Sequence, residues 1–183
     1  SVSVTIPDTA INICEVLPGT TANCRSLIIA KNKLAVERST SIINVSSNMS
    51  IMPTGYLDMS YNATEGGTMN LSGSWTNQRD ESFFEEPGST VNFVGTTALQ
   101  NLSCSQKEVF SMVGVNKASG QVTMLTNVVI DSTNTIGSTP VLNLTSGAIA
   151  LNTREMRIRN SSPGAVVRTG GGLISENTAN SSK

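Results

Sequence analysis

Apolar and polar residues alternate in short runs along almost the whole chain, and clusters rich in glycine, proline and serine separate the runs. Alternation with a period of two is typical of β-strands, whose successive side chains point to opposite faces. No window carries the i, i+3, i+4 apolar spacing of an amphipathic helix. The pattern therefore predicts an all-β protein. Representative apolar pairs are Ile43/Val45, Met69/Leu71, Val91/Phe93 and Leu142/Leu144.

The predicted strands are short, and they follow one another closely. A β-sandwich is expected to have longer strands, roughly every 8–12 residues, with some aromatic anchors. A solenoid builds each coil from two or three short strands, and its inward aliphatic side chains stack on those of the neighbouring coils. The pattern favours a right-handed parallel β-helix, a solenoid of short strands, and leaves a β-sandwich as the alternative.

Three segments share one plan, which supports the solenoid. In each, a small residue or threonine precedes an apolar–polar–apolar triplet that ends at glycine: GTMNLSGSW (67–75), GSTVNFVGTT (88–97) and STPVLNLTSGAIALN (138–152). In the second segment we expect Val91 and Phe93 to face the interior and Gly95 to make the bend.

The alternation also sets the predicted domain organisation. It continues through residues 1–160, which we predict to be a β-helical solenoid domain. Residues 161–183 lose the rhythm, and their last ten are rich in asparagine and serine. We predict a terminal coil or loop there, leading to a following domain.

Composition removes several classes of function. The net charge is −1 with no basic block, so the electrostatic footprint of a nucleic-acid-binding protein is missing. The chain has no histidine, which excludes a Ser-His-Asp triad, a Cys-His dyad and a histidine-ligated metal within it. Any chemistry would rest on carboxylates, lysine, arginine or tyrosine. We expect no cofactor, and the chain is predicted not to be an enzyme.

The cysteines leave the redox state open. Cys14 and Cys24 are close enough in sequence to close a small disulfide loop in an oxidising compartment. The alternative is three free thiols, with Cys104 as the third. Their spacings fit no pattern of metal ligands.

No stretch approaches the roughly 18–20 apolar residues of a membrane span, so we do not expect the chain to cross a membrane. The first residues, SVSVTIPDTA, are already strand-like and lack the features of a signal peptide. This start fits a cytosolic protein or a piece of a longer one, and favours the piece.

Several phrases resemble one family. The stretch TVNFVGTTALQNL (90–102) is similar to the T-V-x-F-x-G-T-x-x-Q-x-I phrase of repetitive β-helical regions in large secreted or cell-surface proteins of Bacteroidota. LSGSWTNQRDESFFEEPGSTVNF (71–93) looks like the phrase that precedes it, and VTMLTNVVIDS (122–132) and LNLTSGAIALNTREMRIRN (142–160) resemble those that follow. The resemblance covers roughly 25–160, and the order of the phrases is more specific than any one of them.

The resemblance implies a parallel β-helix on an extracellular protein, secreted or at the cell surface. Such proteins are commonly exported by the type IX system through a separate C-terminal sorting domain, which is not visible in this sequence. The function implied is structural or adhesive, with cell-surface glycans or the outer-membrane secretion machinery as partners. A cargo segment engaged with the secretion translocon is one alternative. The family's O-glycosylation motif matches at Thr9 and Ser132.

A carbohydrate-active β-helix enzyme, a polysaccharide lyase or a glycosidase, is the other alternative. Glycoside hydrolysis needs two carboxyl groups about 5–10 Å apart. The densest acidic group is Asp80, Glu81, Glu85 and Glu86, which would supply such a pair, or bind Ca²⁺, or form a solvated loop between coils.

A second candidate ligand-binding face lies near the end of the predicted solenoid. Arg157 and Arg159 alternate with apolar residues, so both are predicted on one outward strand face. This face would bind acidic glycans, or it would simply be the solvated side of the sheet, protecting it from association.

Overall fold

A computed structural model describes residues 2–7, 13–36, 38–62, 65–85, 87–131 and 140–175. Nearly all of the secondary structure in these residues is β-strand, with a single turn of 3-10 helix at Glu81–Phe83. The strands stack in parallel and wind the chain into a β-solenoid of about seven turns. The all-β solenoid predicted from the alternation is confirmed, and the β-sandwich alternative is wrong.

The described part of the chain contains twenty strands. In chain order they are β1 Val4–Ile6, β2 Cys14–Glu15, β3 Thr21–Cys24, β4 Leu27–Ala35, β5 Ile42–Val45, β6 Met49–Asp58, β7 Ser60–Asn62, β8 Glu65–Gly66, β9 Thr68–Leu71, β10 Trp75–Asn77, β11 Phe84–Glu85, β12 Thr90–Gly95, β13 Leu99–Cys104, β14 Lys107–Phe110, β15 Met112–Met124, β16 Asn127–Asp131, β17 Leu142–Ala150, β18 Met156–Arg159, β19 Val166–Arg168 and β20 Gly172–Ile174.

Each coil has three faces, which we number in chain order. The first face begins with β1 and passes through β4, β6, β10 and β13 to the later parts of β15 and β17 and to β20. Its strands pair in parallel and in register, so equivalent positions lie directly above one another. One column of core residues on this face runs Val4, Leu27, Met49, Trp75, Leu102 and Met124.

The third face contains the longest run of paired triplets, from β3 to β19. It runs through β3, β5, β9, β12, β15, β17 and β19. The triplets noticed in the sequence lie here, and alternation sends their apolar residues inward. Val91 and Phe93 are fully buried, as predicted. One column of this face consists of Ala22, Ile43, Met69, Val91, Val113, Leu142 and Val166.

The second face is built in two sections. One section pairs β2, the end of β4, the end of β6 and β11, and the other pairs β14, β16 and β18. The third coil adds β7 and β8 after this face, as a small antiparallel pair.

In the later coils, glycines form the corner at which the third face of one coil leads into the first face of the next coil. Gly95, Gly120 and Gly147 have φ values of 90°, 78° and 77°, a left-handed region that costs other residues energy. The bend predicted at Gly95 is therefore confirmed.

The interior is a column of aliphatic side chains interrupted by one aromatic cluster. Trp75, Phe84, Phe93 and Phe110 pack edge to face, with ring centroids 4.9 to 6.2 Å apart. Such pairs add about 0.5–1.5 kcal/mol each beyond the burial of their area. The few aromatic residues of this chain thus tie the fourth and fifth coils together.

The stack also extends past the boundary predicted at residue 160. Strand β19 pairs with β17 through Leu142 and Val166, and β20 pairs with β17 through Ile149 and Leu173. Solenoid pairing therefore continues to residue 174, and the boundary was placed too early. Several residues of these last strands are exposed, so their sequence alternates little between buried apolar and exposed polar positions. Main-chain pairing with β17 is what identifies them as part of the stack.

Candidate functional site

The outer side of the third face carries one asparagine in each of four successive coils. Asn23, Asn44, Asn70 and Asn92 occupy the middle of the apolar–polar–apolar triplets, so they point outward in register. From Asn44 onward, each amide nitrogen donates to the amide oxygen of the asparagine in the preceding coil. The Nδ2–Oδ1 distances are 2.8 Å from Asn44 to Asn23, 2.8 Å from Asn70 to Asn44 and 2.9 Å from Asn92 to Asn70. We call this the asparagine ladder.

All three hydrogen bonds of the asparagine ladder point the same way along the solenoid axis. The last member, Asn92, donates to Asn70 in the preceding coil, and no described residue donates to the Oδ1 of Asn92. The next coil places Gly114 in the register position where a fifth asparagine would stand. One coil further, Asn143 occupies that position again. The ladder therefore has one missing rung, and a pocket of about 180 Å³ opens beside it.

Sequence reasoning missed the asparagine ladder. The signal was present, since each triplet reads apolar–Asn–apolar: ANC, INV, MNL, VNF and LNL, with VGV at the missing rung. The bonded asparagines are 21, 26 and 22 residues apart. Because these intervals differ, no fixed period brings the triplets into alignment, and only the paired strands reveal the register.

Two of the acidic residues proposed as a carboxylate site, Asp80 and Glu81, have local structural contacts. Asp80 caps the 3-10 turn, and hydrogen bonds from the hydroxyl and backbone N–H of Ser82 lower the pKa of its carboxyl. Glu81 forms an ion pair with Lys107 at 3.1 Å. Glu85 lies at the end of β11, in register with Asp58, and Glu86 is outside the described residues.

The predicted arginine face is present, but neighbouring carboxylates engage its charges. Arg157 and Arg159 are both exposed on β18, on the outward side as predicted. Arg157 Nε lies 2.7 Å from Glu155 Oε1, and Arg159 Nη1 lies 3.1 Å from Asp131 Oδ2. These exposed pairs contribute little to stability.

All three cysteines are free thiols in the structure, the alternative to a Cys14–Cys24 disulfide. Cys14 is half-buried in β2 on the second face, whereas Cys24 is buried in β3 on the third face. Burial raises the pKa of the Cys24 thiol. The proposed O-glycosylation residues, Thr9 and Ser132, lie outside the described residues.

Lys117 and Glu108 lie inside the solenoid, and sequence reasoning missed both. Lys117 is fully buried at the corner near Gly120, where its Nζ donates to Gln100 Oε1 at 2.9 Å. Gln100 in turn donates to the carbonyls of Leu71 and Gly73 at 2.7 and 2.6 Å. Burial lowers the pKa of Lys117, because desolvation disfavours its charged form. This network joins the corners of three successive coils.

Glu108 is fully buried beside the aromatic cluster. Its Oε2 accepts from the indole Nε1 of Trp75 at 2.7 Å, and its Oε1 accepts from Asn77 at 3.5 Å.

Burial first, and then the negative charge of Glu108, raise the pKa of Cys104 to about 12. The thiol is therefore protonated at neutral pH, and a thiolate nucleophile is disfavoured.

The described ranges contain neither a metal-binding cluster of side chains nor a membrane-spanning helix. No group of three or more histidine, cysteine, aspartate or glutamate side chains there is arranged to hold a metal ion. No helix among the same residues is long and apolar enough to cross a membrane.

Comparison of this chain with protein-family models, with curated proteins and with solved structures gives no match.

Proposed function

We propose that this chain is a non-catalytic structural segment of a secreted or cell-surface protein, a stiff spacer with adhesive capacity on its outer faces. One observation carries the proposal: the third face pairs seven strands in register, from β3 to β19. A solenoid of this kind is stabilised by contacts between neighbouring coils, so its length grows with the number of coils and needs no central site.

The side chains that were candidates for chemistry support a structural role. Asp80 caps a turn, Glu81 pairs with Lys107, and Arg159 pairs with Asp131. The outer asparagine ladder likewise joins coil to coil through side chains as well as main chain. Polar residues that are bonded along the axis stiffen the stack.

The location and the export route belong to the same proposal. The phrases that resemble Bacteroidota β-helical regions support a cell-surface or secreted protein that a type IX-like system exports. Cell-surface glycans and the outer-membrane secretion machinery are the partners we propose. Adhesion would then reside on the outer faces and connecting loops, where side chains are accessible.

A replacement experiment tests the structural role. In the gene product that carries this chain, residues 1–174 are exchanged for an unrelated β-solenoid with the same number of coils, and display is measured with antibody on intact cells. We expect display to be retained with the replacement and lost when the segment is deleted. Loss with the replacement as well would contradict a spacer role, as would cleavage of neutral or acidic polysaccharides by the purified chain.

A second experiment tests the export route. The same antibody is applied to intact cells in which the type IX translocon has been inactivated. We expect the protein to disappear from the surface and to accumulate inside the cell. Unchanged surface display would contradict type IX export and leave the spacer role intact.

A further inference from the structure

The missing rung of the asparagine ladder is a small recess with a hydrogen-bonding group on each side that no described residue uses. A Cβ atom at Gly114 would lie 2.1 Å from Asn92 Oδ1, so the Asn92 amide leans into the space that a side chain would otherwise fill. Among the described residues, nothing donates to this oxygen. On the other side, the amide oxygen of Asn143 accepts from Thr145 Oγ1 at 3.5 Å, and its Nδ2 donates to no described residue.

The spacing of the two amides defines what fits between them. Adjacent parallel strands lie about 4.8 Å apart, so the positions of Asn92 and Asn143 are separated by about 10 Å, two strand spacings. A fifth rung would donate to Asn92 Oδ1 and accept from Asn143 Nδ2, as the other rungs do. A ligand in the recess therefore needs donors and acceptors on one compact body, and a hydroxyl group offers both.

The walls of the recess narrow the chemistry further. Met112 and Pro140 contribute apolar surface, Thr90 contributes a hydroxyl-bearing side chain, and none of the lining residues is charged. A charged ligand would lose hydration without gaining a counter-charge. The volume of about 180 Å³ is below the range of about 300–1,000 Å³ for sites of drug-sized ligands, so the open recess itself has room for one small ring.

We propose that this recess binds one neutral monosaccharide unit. The ring hydroxyls bridge Asn92 and Asn143 in place of the missing rung, and the C–H face of the ring packs on Met112 and Pro140. The assignment deepens the adhesive part of the proposed function, on which it rests for its biological meaning. The spacer role does not depend on it, because the coils are paired whether or not the recess is filled.

The substitution Gly114→Asn tests the assignment by supplying the missing rung. The new Cβ meets only the end of the flexible Asn92 side chain, so a small rotation of that side chain accommodates it. Wild-type and variant chains, labelled with ¹⁵N, are titrated with glucose, galactose, mannose and N-acetylglucosamine at millimolar concentrations. Glucuronic acid and inorganic phosphate serve as charged comparators.

For at least one neutral sugar we expect saturable shifts at the Gly114 amide and at the side-chain amides of Asn92 and Asn143. Gly114→Asn should weaken that binding by at least about tenfold. Asn23→Ser, at the far end of the asparagine ladder, is the matched control and should leave the affinity unchanged. Should Gly114→Asn fold poorly, Asn143→Ala removes one bridging side chain from the outer surface of β17 and should also weaken binding.

Three results would overturn the assignment. They are the absence of saturable shifts with every neutral sugar, binding by glucuronic acid or phosphate alone, and binding that survives unchanged in Gly114→Asn. None of these results changes the expected outcome of the display experiment, in which an unrelated β-solenoid replaces residues 1–174. Failure of this assignment is therefore distinguishable from failure of the spacer role.

Discussion

The indole Nε1–H of Trp75 in the fourth coil donates to Glu108 Oε2 in the fifth coil at 2.7 Å, and both side chains are fully buried. A buried donor that loses its acceptor costs about 1–3 kcal/mol, and Asn77 would lose an acceptor as well. We therefore expect Glu108→Leu to lower the free energy of unfolding by about 2–4 kcal/mol.

Urea unfolding followed by fluorescence measures this loss, since Trp75 is the single tryptophan of the chain. Glu108→Gln is the matched control, because its amide oxygen remains available to the indole. We expect it to cost about 1 kcal/mol. Equal losses in the two variants would show that the Trp75–Glu108 hydrogen bond is not the source of the stability.

The asparagine ladder should make a measurable contribution that depends on position. Asn70→Ala removes two side-chain hydrogen bonds, one to Asn44 and one from Asn92, and should cost about 1–2 kcal/mol. Asn23→Ala removes one ladder bond, from Asn44, and a long bond at 3.5 Å to the exposed carbonyl of Thr21, and should cost about half as much. Chemical denaturation of the two variants tests the difference. Equal costs would indicate that the ladder bonds exchange freely with water.

Two buried serines at equivalent corners should respond to substitution in opposite directions. The hydroxyl of Ser89 is buried with no hydrogen-bond partner in the described part of the chain, whereas the hydroxyl of Ser111 accepts from the backbone N–H of Gly88 at 3.1 Å. Ser89→Ala should raise stability by about 1 kcal/mol, and Ser111→Ala should lower it by about 1–2 kcal/mol. Thermal unfolding of both variants gives the signs. A loss in Ser89→Ala would mean that its hydroxyl has a partner.

The thiols should differ in reactivity. Cys104 has a pKa of about 12 and Cys24 is buried, so iodoacetamide at mildly alkaline pH should alkylate Cys14 first. Mass spectrometry under native and denaturing conditions measures the order. Alkylation of Cys104 as fast as Cys14 in the native protein would contradict the structure, as would an intact mass two hydrogens below that of the reduced chain.

The same pKa shift gives a pH dependence of stability. The folded chain keeps the Cys104 proton up to pH about 12, whereas an ordinary thiol loses it near 9.0. The contribution of Cys104 is therefore fully present below pH 9 and is lost as the pH rises toward 12. Cys104→Ser should remove this part of the alkaline decline in denaturant midpoints. An unchanged decline would assign it to other groups.

Local alternation was enough to predict the fold, because it decides which side of a strand each residue faces. It placed Val91 and Phe93 inside correctly. The same rule places Glu108 beside Phe110, and Lys117 beside Val115, on inward sides of their strands. Their charge argues for exposure, and only partners from other strands explain their burial: Trp75 in the preceding coil and Gln100 in β13.

The candidate sites were less predictable, because they depend on relations between coils. The acidic cluster is dense in sequence, yet Asp80 and Glu81 are directed to different partners. The recess at Gly114 requires the alignment of three triplets in coils of unequal length. Spacing along the chain carries neither kind of information.

The removal of one coil tests the central claim, that the chain is a stack of interchangeable coils in register. Met49 pairs with Trp75, so residues 49–74 form one coil, and their deletion places Leu27 beneath Trp75 and Asn44 beneath Asn92. Deletion of residues 49–61 alone shifts the register by half a coil and is the matched control.

Urea unfolding of the two deletion variants is the decisive measurement. We expect the one-coil deletion to unfold cooperatively, with a denaturant slope smaller by about one seventh, while the half-coil deletion is unfolded without denaturant. Loss of folding in both variants to the same extent would contradict a solenoid of stacked coils.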